Sequence, residues 1–188
     1  YLQVTSPSVT LTGISLTQND SGSVFTGNMT LASDSASLFP GKSFSASITP
    51  LSVGQRAITG TFNLNTGAFA LTAGKFDVTS TKFFTASAQN IAIAFDPAVT
   101  STQTLVSIGS LALRVKPLKD LNVTVTNMAI RNDGFSFDNL TTSISDLSFG
   151  NYLKITTPTV TFTSVNLTQN DAGTVFTGSF ALSANGAQ

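Results

Sequence analysis

Hydrophobic and polar residues alternate along most of this chain with a period of two. In VFTGNMTL, Phe25, Gly27, Met29 and Leu31 fall on one set of positions while Thr26, Asn28 and Thr30 fall on the other. That alternation is the mark of a half-buried strand. The stretch ITGTFNLNTGAFALTAGKFDV, residues 58–78, predicts a hairpin: Phe62 and Leu64 precede Asn65-Thr66-Gly67, and Phe69 and Leu71 follow. Gly67 supplies the left-handed residue that such a turn needs. NDSG at Asn19 to Gly22, NDAG at Asn170 to Gly173 and Asn132-Asp133-Gly134 read as turns in the same way. No window carries a helical period, and the six prolines sit between strand candidates, where a missing amide hydrogen does least harm. The expected fold is an all-β, mostly antiparallel meander.

The pattern also repeats at long range. Tyr1 set on Tyr152 aligns YLQVTSPSVTLTGISLTQNDSGSVFTGNMTLAS with YLKITTPTVTFTSVNLTQNDAGTVFTGSFALSA without a gap, and about half of the positions are identical. Exchanges keep their character: Val4 for Ile155, Leu11 for Phe162, Ile14 for Val165, Met29 for Phe180. Residues 1–151 then form one long unit, and 152–188 start the next copy. A fainter rhythm of about 37 residues links VTLTGISLTQND with stretches starting at Phe44, Phe84 and Val123, so the long unit holds four weak sub-repeats. No Gly/Ser/Pro-rich linker precedes the second copy, so consecutive units are expected to share a continuous sheet. The second copy stops at SANGAQ, and the chain is expected to continue beyond it. The architecture that fits is an elongated β-sandwich or solenoid-like stack of tandem repeats.

Composition narrows the function. Charged residues make up 10% of the chain and net charge is zero, against about 25% charged in a soluble domain. Ser and Thr exceed a quarter of the residues and supply the polarity instead. Without a basic run, a nucleic-acid partner is not expected. There is no Cys, His, Trp or Glu, so the commonest proton shuttle and thiol nucleophile are missing. The expectation is a non-enzyme with no cofactor. No apolar run reaches the roughly 18 residues of a transmembrane helix.

Several residue sets remain candidates for binding. Thr10, Thr12, Thr124, Thr126, Thr161 and Thr163 form Thr-x-Thr pairs that would stack as a hydroxyl ladder, a surface suited to carbohydrate or ice; Gly13 and Asn127 would disturb its flatness. Asp20, Asp133, Asp138 and Asp171 lie in Asn/Asp-rich turns and are weak calcium candidates, since each loop offers only one or two carboxylates where calcium takes six to eight oxygens. Val9, Leu11, Phe25 and Leu31, with their copies Val160, Phe162, Phe176 and Leu182, are the expected repeat-to-repeat interface. Five sequons, such as Asn28-Met29-Thr30, fit the glycosylation pattern. The fifteen Phe residues predict core rings or, alternatively, an apolar groove that carries lipid.

With YLxVTxPxVT and LTQNDxGxVFTG as its sharp motifs, the chain resembles the long repetitive cell-surface proteins of bacteria: Thr/Ser/Val/Phe-rich, free of Cys, poor in Glu. The resemblance implies an extracellular or cell-surface location and a structural, adhesive or filament-forming role. The implied partners are neighbouring copies of the repeat, in the same chain or as a homopolymer.

Overall fold

A computed structural model describes residues 2–19, 22–118, 121–170 and 173–187. They form strands and turns only. In chain order the strands are β1 (Leu2–Thr5), β2 (Ser8–Asn19), β3 (Gly22–Ser33), β4 (Ser35–Leu38), β5 (Phe44–Thr49), β6 (Ile58–Asn63), β7 (Phe69–Ser80) and β8 (Phe84–Phe95). They continue as β9 (Thr104–Val115), β10 (Leu121–Arg131), β11 (Gly134–Ser143), β12 (Asp146–Phe149), β13 (Leu153–Thr156), β14 (Thr159–Asn170), β15 (Gly173–Ser183) and β16 (Gly186–Ala187). Among the described residues there is no helix, and hence none long and apolar enough to cross a membrane.

The antiparallel meander expected from the period of two is what forms. Thirteen strands make one sheet, and β12, β13 and β16 make a small second one. The sheet branches at β7: β6 pairs with Phe69–Ala73, while β5 pairs end to end with it along Lys75–Ser80. From β7 the sheet runs one way through β8, β9, β10, β11, β14 and β15. The other way it continues as two short columns, β6–β3–β2 and β5–β4–β1. It does not close into a barrel. Every extensive contact between elements is between hydrogen-bonded neighbours, so the described strands build one layer. The expected meander thus runs on as an open sheet, and among the described residues it does not fold over into the two layers of a sandwich.

The alternating pattern becomes ladders across the sheet, because residues paired in register point to the same side. One ladder runs Val4, Ala36, Ile48, Phe76, Ala88, Leu111, Val125, Leu140, Phe162, Phe180, one residue from each column. Every member is apolar. The adjacent row is Thr49, Lys75, Gln89, Ser110, Thr126, Asn139, Thr163, Ser179, every member polar. A second apolar ladder runs from Val9 and Leu31 past Gly60, Leu71, Ile93 and Val106 to Ile130, Phe135, Leu167 and Phe176.

Between the two apolar blocks the alternation slips by one residue, at one row shared by β7, β8, β9, β10, β11 and β14. That row holds Gly74, Asn90, Gly109, Asn127, Asp138 and Ser164. Asn90, Asn127 and Ser164, at φ 53°, 51° and 51°, are left-handed, a conformation that breaks the two-residue pleat. They occupy β8, β10 and β14, at intervals of 37 residues. Gly109 lies between the first two, and a Cβ there would come within 2.9 Å of the Asn90 Cβ. Small residues on the intervening strands thus make room for the seam.

The two similar stretches fold alike. In β2–β3 the register pairs Val9 with Leu31, Leu11 with Met29 and Leu16 with Phe25, with a bulge between Thr12 and Ser15. In β14–β15 it pairs Val160 with Leu182, Phe162 with Phe180 and Leu167 with Phe176, with a bulge between Thr163 and Asn166. Each pair is displaced by 151 residues. Backbone angles follow: φ is 48° at both Ser6 and Thr157, each before a proline, and 143° and 147° at Gly27 and Gly178. The Asp34 amide donates to the Thr5 carbonyl at 3.0 Å, and the Asn185 amide to that of Thr156 at 2.9 Å.

Candidate functional site

Two features of this sheet are unusual for a monomer: among the described residues its apolar side carries no second layer, and its outer strands are paired on one side only. A closed monomer of 19.5 kDa exposes about 8,500 Å² by the size scaling of folded proteins; this chain exposes 11831 Å². Its buried apolar residues are few, namely Ala57, Ala88, Val125 and Val165. Within the strands of the large sheet, apolar side chains are most exposed at its edges, as with Val9, Leu11 and Leu16 on β2 and Phe176, Phe180 and Leu182 on β15.

A concavity of about 440 Å³ lies on the apolar surface where Met29, Phe62, Phe69 and Phe95 are rimmed by Asn28, Asn63, Asp96 and Gln103. The Phe62 and Phe69 rings stack with centroids 5.8 Å apart, and Phe69 meets Phe95 at 6.1 Å. Their position follows from the predicted hairpin. The Asn63 carboxamide accepts from the amides of Asn65 and Thr66, at 2.9 and 3.2 Å, and Gly67 takes φ 76°. The Asn65 carboxamide then accepts from the Gly27 amide at 2.8 Å, tying the turn to β3.

The expected interface residues do not gather at one junction. Val9, Leu31 and Phe176 belong to one apolar ladder, Phe162 to the other, and Val160 and Leu182 share a further row with Thr142. Phe25 faces Leu16 within its own hairpin, and Leu11 faces Met29. The Thr candidates divide as well. Thr124, Thr141 and Thr161 are neighbours in one row, ending at Ala112 and Ala181. Thr126 and Thr163 flank Asn139 in another. Thr10 and Thr12 lie beyond, beside Thr30 and Asn28.

Of the calcium candidates, Asp20 and Asp171 lie outside the described residues. Asp138 accepts from the Asn127 carboxamide at 2.7 Å, across the seam. Asp133 accepts from Arg131 Nε at 3.0 Å and from Thr102 Oγ1 at 3.1 Å. Both serve neighbouring side chains, and no three His, Cys, Asp or Glu cluster among the described residues.

A clasp that sequence reading missed sits at this turn. Arg131 reaches from β10 across β11 to β14, donating to Ser136 Oγ at 3.0 Å and to Asn166 Oδ1 at 2.7 Å. It is mostly buried, and a half-buried Arg with several acceptors is worth more than an exposed ion pair. Nothing in the sequence signals it, because Asn166 is 35 residues away. A smaller clasp joins Arg56 to Asp34 at 2.6 Å, where Ser6 and Arg56 hold the Asp34 carboxyl below its usual range.

No protein-family model, no curated protein and no solved structure matches this chain.

Proposed function

We propose that this chain is a non-catalytic structural segment of an exported repetitive β-sheet assembly, a fibre, filament, stalk or adhesin at the cell surface, in which successive 151-residue units add strands to one sheet. The observation that carries the reading is the junction between β11 and β14. The second copy is joined to the preceding residues by nine paired positions, from Gly134 with Thr168 to Ser143 with Thr159, and not by a hinge. Units joined in this way stabilise one another through their shared boundary, so stability grows with copy number. A chain ending at Gly150 is expected to melt below the full 188 residues, and one with two complete units above it. Equal melting temperatures, read by circular dichroism, would mean independent domains and would overturn the reading.

The uncovered apolar side favours a second reading, a β-groove that carries an apolar ligand such as lipid. Its support is the Phe62, Phe69 and Phe95 concavity. Native mass spectrometry after gentle extraction separates the two. The structural reading expects the apo mass, and a recurrent bound lipid would favour the groove.

A further inference from the structure

We infer that the outer edge of β2 is a strand-acceptor site whose occupant is a strand of the β11 sequence, GFSFDNLTTS, supplied by another copy of the same repeat. The inference rests on the repeat reading above and adds to it a specific edge, a partner strand and a register.

Two similar stretches, β2 and β14, stand in different settings. β14 is hydrogen-bonded on both sides, to β15 and to β11. Its counterpart β2 pairs with β3 alone among the described residues. Moving the β11–β14 register back by 151 residues sets Phe135 of the incoming strand beside Leu16, Phe137 beside Ile14, Leu140 beside Leu11, Thr141 beside Thr10 and Ser143 beside Ser8. Apolar meets apolar and hydroxyl meets hydroxyl at each of these positions, as in the β11–β14 ladder itself. Burial differs as pairing requires. Val165 is 3% exposed within the sheet, whereas its counterpart Ile14 is 43% exposed at the edge.

The edge also lacks the charges by which natural sheets protect a long outer strand, and its bulge between Thr12 and Ser15 recurs in β14, which pairs with β11 all the same. SVTLTGISLTQN spans twelve residues without a charge or a proline, and β1, which prolongs this edge, is equally uncharged. β1 matches β13, which pairs with β12, so the acceptor edge would engage the β12 equivalent as well. One contact is not reproduced: position 15 is Ser where Asn166 receives Arg131, so the clasp is lost and the backbone ladder carries the pairing.

The test adds a synthetic peptide of residues 134–143 in large excess to the full chain and follows amide hydrogen exchange residue by residue. Outward-facing amides between Ser8 and Thr17 are expected to slow by roughly tenfold or more, with a scrambled peptide having no effect. Leu16→Lys, at an exposed position, is expected to abolish the slowing without changing the melting temperature. Unchanged exchange in β2, or equal slowing by the scrambled peptide, would overturn the inference. If melting rises with copy number while β2 stays unprotected, the edge assignment falls and the repeat reading stands. If the peptide protects β2 while melting ignores copy number, the acceptor edge stands and the array reading falls.

Discussion

Replacing Val125 with Asp is expected to destabilise the chain by roughly 3 kcal/mol or more, a fall in melting temperature of roughly 6–12 °C for a protein of this size. Val125 lies between Leu111 and Leu140 inside the ten-residue apolar ladder and is 6% exposed. A carboxylate there loses its water with no cation in its cross-strand pairs. The same exchange at Phe180, the outer end of the ladder, puts the charge at a side chain that is 73% exposed. Its expected effect is smaller, about 0.5–1.5 kcal/mol, set by the lost contact with the Phe162 ring 6.3 Å away. Thermal melts of the two variants separate the interior of the ladder from its end. Equal effects would mean that the ladder is not what holds the sheet together.

Gly134→Val is expected to cost roughly 3 kcal/mol, since forcing atoms into a filled site costs 1–3 kcal/mol and more when backbone must move. Gly134 opens β11 opposite Thr168, and any Cβ there would run into the Leu167 carbonyl. That oxygen belongs to the β14 backbone, so relief comes only by separating β11 from β14. The loss should therefore be local first, with β14 amides exchanging faster while β8 and β9 keep their protection. A variant with unchanged melting and unchanged β14 exchange would contradict the tight junction.

The fold class was legible because a period of two is a local signal. The hairpin around Asn65 to Gly67 was legible too, since its turn residues are adjacent in sequence and Gly67 adopts the left-handed angle expected of it. The branch at β7 was not. It depends on the insertion 50–57, whose Ala57 amide donates to the Ser33 carbonyl while its own carbonyl accepts from Gly74, and no local pattern marks those partners. The seam was half legible: Asn127 stood out as an interruption of the Thr-x-Thr run, but its alignment with Gly109 and Asp138 emerges only from register. Placing the candidate residues needs the register for the same reason. Spacing along the chain grouped Thr10 with Thr124 and Thr161, whereas the branch at β7 sets the first hairpin in its own column and Thr10 in a different row from the other two.

The central claim is that β14 of the second copy is interior to one sheet while its counterpart β2 in the first copy lies at an edge, and amide exchange across β2 and β14 in the native chain tests it most directly. These strands have similar sequences and the same register in their own hairpins, so their difference reports chiefly what lies beside them. The account predicts that β14 is protected at consecutive residues on either side of its bulge, over Thr159–Thr163 and Asn166–Thr168, because both of its sides are hydrogen-bonded there, and that β2 is protected only at alternate residues. Alternating protection in β14 as well would contradict it, since the second hairpin would then stand apart from β11.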